Sequence, residues 1–127
     1  MPLYHLLYRF VVNLRNLVPD VIYNYKGNQY DRKYHLDTTK KLDRSKLDVP
    51  ADKRKESWSY HAIDIDRFKP IMKHLSVDYS SFCFIDVGSG KGRVLFLIEE
   101  LKCQHIIGVE HSNILHRIAE NNLKNYS

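Results

Sequence analysis

The apolar positions of this chain change period several times, and each change predicts an element. Leu3, Leu6, Leu7, Phe10, Val11, Leu14 and Leu17 recur at helical spacing, with Arg9, Asn13 and Arg15 mostly off that stripe. The stripe predicts a helix ending near Val18-Pro19, because the residue before a proline avoids the helical region. From 20 to 60 no period is sustained, which predicts a long loop or a set of short turns. Ile65, Phe68, Ile71, Met72 and Leu75 form one face of a second helix. Asp66 is its expected cap, and Pro70 falls in its first turn, where a missing N–H costs little. The Ser76–Ser81 stretch ends it. Ser81–Val87 is apolar on both faces around Cys83, as a buried parallel strand should be. Arg93–Leu101 reads as a helix with Glu99 and Glu100 outward, and Ile106–Val109 as a second strand. Ser112 can cap a last helix carried by Ile114, Leu115, Ile118, Ala119 and Leu123.

Strand, helix, strand, helix in that order is a βαβα unit, so the expected class is α/β with a right-handed crossover. Two regions follow from the patterning. Residues 1–59 hold the N-terminal helix and a basic, tyrosine-rich segment, and residues 60–127 hold the βαβα unit.

Composition adds bounds. The chain has 127 residues, 43% hydrophobic and 28% charged, which fits one folded soluble domain. No run reaches the length of a membrane span. Arg9 and Arg15 interrupt the apolar N-terminus and no small-residue cleavage site follows, so this stretch reads as structure rather than a signal peptide, and a cytoplasmic location is expected. Cys83 and Cys103, twenty positions apart with no Cys-x-x-Cys, are expected to be reduced, buried thiols. The net charge of +5 lies entirely in residues 1–80, which carry 15 Lys/Arg against 10 Asp/Glu; residues 81–127 carry 5 of each. Such asymmetry allows an anionic partner such as nucleic acid, and a solvated lysine-rich segment accounts for it as well. A membrane surface is set aside, since an amphipathic stripe more often packs on its own domain.

The chemistry concentrates in one loop. Three of five glycines fall in Asp86-Val-Gly88-Ser-Gly90-Lys-Gly92, between the first strand and the helix after it. Glycine at these spacings lets the backbone turn sharply and lets a ligand approach with no Cβ in the way. The phosphate loop requires Lys-Ser/Thr after its last glycine, whereas Lys91 is followed by Gly92 and Arg93. The dinucleotide fingerprint requires Gly or Ala where Arg93 stands. Twenty-four positions after Asp86, Glu110 ends the second apolar run, where a carboxylate can accept from two vicinal hydroxyls.

Acid-x-Gly-x-Gly-x-Gly followed by that acid resembles the first motif of class I S-adenosylmethionine-dependent methyltransferases. Asp86-Val-Gly-Ser-Gly-Lys-Gly-Arg-Val-Leu95, Ile107-Gly-Val-Glu-His-Ser112, Ala119 and Asn122 look like a bacterial group of them, as does Tyr30-Asp-Arg-Lys-Tyr-His-Leu-Asp-Thr38 upstream. The resemblance implies a Rossmann-like sheet of seven strands, of which this chain supplies the first βαβα unit. It implies S-adenosyl-L-methionine as cofactor, held by Asp86, Gly88, Ser89, Gly90 and Gly92 in the turn and by Glu110 at the ribose. Asp86 in that family organises the loop and meets the cofactor's amino group. No catalytic residue and no methyl acceptor can be carried over.

The chain stops at Ser127, before the third strand. A truncated reading of a longer methyltransferase, a split enzyme completed by another polypeptide, and a repurposed fragment are the three accounts, and truncation is expected, with the portion inactive alone. A central first strand left with an open apolar edge invites self-association or pairing with a completing chain. Seven histidines show no ligand pair at helical spacing, so no metal site is expected. His111 beside Glu110 reads as a surface histidine, and Asp64 and Asp66 as capping residues. The alternative function is a non-catalytic binding module. In it, Tyr23, Tyr25, Tyr30 and Tyr34 with Lys26, Arg32 and Lys33 meet RNA or a protein partner.

Overall fold

The computed structural model describes residues 20–127; the amphipathic stripe over Leu3–Leu17 lies outside them. Residues 20–34 form helix α1, where the lack of aliphatic periodicity predicted loop. The helical period is present but is written in other residues. Tyr23, Gly27, Tyr30, Asp31 and Tyr34 follow a 3.6-residue repeat and are buried or half-buried. Gly27 is the close-approach position, since a Cβ there would lie 2.6 Å from Thr39 Oγ1. His35 closes the helix in the left-handed region at φ 56°, and the Leu36 N–H reaches back to the Asp31 carbonyl at 2.8 Å, the usual helix-ending bond.

Residues 36–64 run as an extended, turn-rich segment stitched to itself. An antiparallel bridge joins Leu42 to Tyr60, and a short 3₁₀ turn at Arg44–Lys46 is capped by the Asp43 carboxylate. Helix α2 spans Ile65–His74. Its cap is Asp64 rather than Asp66; the Asp64 carboxylate accepts from the Asp66 N–H at 2.9 Å. With the start fixed there, Pro70 is the sixth helical residue and lies past the first turn. The Asp66 carbonyl therefore has no helical N–H to accept from. Phe68 and Met72 are buried, whereas Ile71 and Leu75 of the predicted face are exposed.

Strand β1, Cys83–Val87, leads through helix α3, Arg93–Glu99, to strand β2, His105–Val109, and then to helix α4, Asn113–Asn125. The strands pair in parallel, Cys83 opposite His105 and Val87 opposite Val109. This matches the α/β expectation, and the sheet among the described residues has two strands. Ile98, Leu97 and Phe96 of α3 form the centre of the main core with Tyr30, Phe68 and Met72, and Phe84 and Ile106 pack against it from the sheet. A second cluster joins Leu47, Val49, Tyr60, Ala62 and Leu115.

The expected two-sided burial of β1 does not hold among these residues. Alternate side chains of a strand point to opposite faces. The face carrying Ile85, Val87, Ile107 and Val109 is 45–82% exposed, and Cys83 on it is exposed too. Cys103 is half-buried. The thiols are free, as expected, but not sealed, because the described helices cover only one face of the sheet.

Candidate functional site

The glycine loop is shaped by β2. The Val109 carbonyl accepts from the N–H groups of both Gly88 (2.7 Å) and Ser89 (3.1 Å), which turns the chain off the end of β1. Gly88, Gly90 and Gly92 all take left-handed dihedrals, φ 83°, 57° and 88°, a region costly for residues with a Cβ. Each glycine then meets a different environment. A Cβ on Gly88 would touch nothing within 4 Å; one on Gly90 would lie 2.4 Å from the Tyr60 ring. Gly92 turns away to open α3, its nearest neighbours being Phe96 and Ala119.

Glu110 ties the site together. One carboxylate oxygen accepts from the Gly90 N–H at 2.7 Å and the other from the Ser112 N–H at 2.8 Å. An ionised carboxylate offers about four lone-pair sites, so acceptor capacity remains on both oxygens. Ser112 donates its hydroxyl to Asp48 at 2.6 Å, and the same Asp48 oxygen accepts from the Ile114 N–H at 3.1 Å. These bonds, the Ser112 hydroxyl first, hold the Asp48 carboxyl down to about 2. Asp86 differs. Its half-buried carboxylate accepts no hydrogen bond from the described residues, and burial, then the Glu110 charge, push it above the usual carboxylate range.

Asp86, Gly88, Ser89, Gly90 and Glu110 line one cavity of about 670 Å³, with His111 at its edge. Of the six residues the sequence singled out, only Gly92 lies outside it. The opposite wall is the segment Ser57–Ile63, so the chain before α2 closes over the loop. Lys91 of the loop and Arg93, the first residue of α3, tie this end of the loop to the segments upstream, and periodicity pointed to neither. Arg93, 2% exposed, donates from Nε to Thr38 Oγ1 at 2.8 Å, from its terminal nitrogens to Thr39 Oγ1 and to the Ile63 carbonyl, and faces Asp31 at 3.5 Å. Asp31 in turn accepts from the N–H groups of Thr38 and Thr39 at 2.8 and 2.7 Å. Lys91, also 2% exposed, donates to Asp37 at 3.0 Å and to the Lys40 carbonyl at 2.9 Å. Asn122 of α4 binds both the Asp37 backbone and the Lys91 carbonyl. Buried cations survive when paired and hydrogen-bonded, and both are. The one sequence signal for them was the Tyr30–Thr38 stretch, which supplies Asp31, Asp37 and Thr38.

The tyrosine-rich stretch is placed largely inward. The Tyr23 hydroxyl donates to the Ala62 carbonyl at 2.6 Å, Tyr30 and Tyr34 sit in or against the main core, and Lys26 pairs with Asp66. Lys33 lies 4.7 Å over the Tyr34 ring. Tyr25 and Arg32 remain exposed.

The cavity suits a ligand that is polar at two points and compact where it meets the loop. An unpartnered carboxylate at Asp86 fits an ammonium, spare lone pairs on Glu110 fit hydroxyls, and the empty space at Gly88 is what a Cβ would fill. Residues 53–127, more than half of the chain, match the family model described as histone methylation protein DOT1. The match names that family rather than a bacterial group. No curated protein and no solved structure matches the chain.

Proposed function

The chain belongs to the DOT1 histone methylation family, a methyltransferase-related family, and on that premise we propose that its glycine-loop cavity binds S-adenosylmethionine for methyl transfer. The observation that carries the reading is the convergence of Asp86, Gly88, Gly90 and Glu110, drawn from two strand ends, on one cavity. Asp86 meets the ammonium of the cofactor's amino-acid end, where a carboxylate without a protein partner gains one. Glu110 takes ribose hydroxyls while its bonds to Gly90 and Ser112 hold it in place. Gly88 and Ser89 offer backbone with no Cβ obstruction at Gly88. The cofactor, when bound, supplies an electrophilic methyl group on a sulfonium. The protein's share is to align and enclose the reactants, which accounts for much of the rate in such displacements.

Lys91 and Arg93 support this site from behind. Their bonds to residues 31–40 hold Tyr60 and the Ser57–Ile63 wall against the loop, so the cavity keeps its shape before any ligand arrives.

Isothermal titration calorimetry with S-adenosylhomocysteine tests the reading. Binding to the full chain is expected, weakened at least about tenfold in Glu110→Ala, the order of one lost charge-assisted hydrogen bond. Unchanged affinity in both Glu110→Ala and Asp86→Ala, with folding intact by circular dichroism, would refute the assignment.

A further inference from the structure

The mouth of the cavity carries charge and aromatic surface that the cofactor reading does not use. Residues 40–55 include seven basic side chains, Lys40, Lys41, Arg44, Lys46, Lys53, Arg54 and Lys55, against three acids. All seven basic residues are exposed, and none forms an ion pair among the described residues. Two of the acids are engaged as caps: Asp43 accepts from the Ser45 N–H of its own 3₁₀ turn and Asp48 from the Ile114 N–H of α4. Both stay ionised, and Glu56, exposed beside Lys53 at the cavity, follows directly, so residues 40–56 carry seven basic against four acidic side chains, a net charge of +3.

Trp58, the chain's single tryptophan, stands in this strip at 88% exposure. Such exposure is unusual for the largest apolar side chain. Its backbone is nevertheless pinned. Tyr60 exchanges both backbone bonds with Leu42, at 2.8 and 3.2 Å, and Ser59 Oγ accepts from the Arg44 N–H at 3.1 Å. In that antiparallel register Trp58 falls opposite Arg44. The turn before it, closed by the Lys53 N–H on the Pro50 carbonyl and the Glu56 N–H on the Lys53 carbonyl, brings Lys53 to the same rim, with Arg54 and Lys55 next to it in the turn. Lys53 and Trp58 both line the cavity that holds Asp86 and Glu110.

We infer that this rim is a docking surface for single-stranded nucleic acid, with the basic strip on the phosphates and Trp58 stacked on an unpaired base at the cavity mouth. It rests on the cofactor reading only for the role of the cavity. Unpaired cations on a held backbone attract a polyanion, and an exposed aromatic ring stacks on any base whose face is free. A duplex keeps its bases stacked and offers the ring nothing. An acidic polypeptide meets the charges but not the ring. A lysine- and arginine-rich protein segment would meet like charge here.

Fluorescence anisotropy with a labelled 12-nucleotide single strand, alongside Trp58 emission, tests the inference on the full chain. Expected are binding that falls steeply with salt and quenching of Trp58 by the strand. Arg44→Ala/Lys46→Ala/Arg54→Ala/Lys55→Ala removes four charges outside the cavity lining and should flatten the log K against log salt slope by up to about 3. Trp58→Ala should weaken binding about tenfold, within the range for one lost base stack, and Trp58→Phe should retain most of it. No binding at low salt, an unchanged salt slope in the quadruple variant, or equal affinity for polyglutamate or duplex without quenching would each overturn the inference. Calorimetry with S-adenosylhomocysteine on the same samples separates the two readings. Strand binding without cofactor binding leaves the docking surface standing and sinks the cavity reading; the reverse does the opposite.

Discussion

Gly88 and Gly90 share a left-handed backbone but not a neighbourhood, and alanine at each separates the two costs. At either position a Cβ in the left-handed region costs about 1–2 kcal/mol. The loss of unfolded-state freedom on replacing glycine by alanine returns about 0.4–1 kcal/mol. Gly88→Ala meets nothing within 4 Å, so its net cost should be about 0–1.6 kcal/mol. Gly90→Ala must also place a methyl 2.4 Å from Tyr60 Cε2 and 2.7 Å from Cδ2. Tyr60 cannot withdraw freely, since its ring is buried and its hydroxyl donates to the Thr38 carbonyl at 2.8 Å. Overpacking of this kind adds about 1–3 kcal/mol. For a chain of this size each kcal/mol lowers Tm by roughly 4 °C, so Gly90→Ala should melt about 4–12 °C below Gly88→Ala. Urea unfolding followed by circular dichroism gives the same ordering as free energies. A cycle with Tyr60→Ala assigns the difference, because Gly90→Ala should cost less once the ring is gone. Ligand binding orders the pair the other way: Gly88→Ala, whose methyl enters open cavity, should lose S-adenosylhomocysteine affinity with little loss of stability. Equal midpoints for the two variants, together with no coupling to Tyr60, would refute the packing argument.

Three further perturbations act on the carboxylates. Asp31→Ala leaves the buried Arg93 guanidinium without its counter-charge and should destabilise by about 3–5 kcal/mol in urea titration; a loss below about 1 kcal/mol would mean that the threonine hydroxyls alone satisfy Arg93. Asp86 has its carboxyl raised, first by burial and then by Glu110, so the folded state disfavours its charge and loses stability as pH climbs from the unfolded value through the raised one. Asp86→Asn should therefore raise Tm at pH 7 while weakening cofactor binding, and a lowered Tm would contradict this. Asp48 is the opposite case. Its carboxyl, held at about 2 by Ser112 and Ile114, contributes stability present above the ordinary carboxylate value and lost as pH falls through about 2. The difference in Tm between wild type and Asp48→Asn should shrink between pH 5 and pH 2, and a constant difference would show that the cap does not depend on charge.

The loop and its flanking elements were legible because their signals are local. A glycine needed for φ 57–88°, an apolar run entering the turn, and a serine or aspartate at a helix start each depend on a few adjacent residues. The parallel pairing of β1 with β2 follows from the helix between them. Helix α1 escaped because its inward face is built from tyrosine, glycine and aspartate, residue types that an apolar count scores as loop. The placement of Pro70 and of the α2 cap slipped because Asp64 and Asp66 are both good caps, and the choice between them is made by backbone geometry.

Lys91 and Arg93 mark the boundary of that legibility. In sequence they are two cations in a polar turn, the usual signature of solvent exposure. In the fold they are among the most buried side chains, because Asp37 and Thr38, 54 and 55 positions upstream, return to meet them. The loop residues that line the cavity, Asp86, Gly88, Ser89 and Gly90, and Glu110 at the end of β2, belong to a motif whose spacing is local and so legible. The far wall of the cavity, and the strip of unpaired charge around Trp58, exist only because distant segments close on the loop. A one-dimensional pattern records which residues can turn, cap or alternate. Which charges lose water and which stay exposed is settled only when the chain comes back on itself.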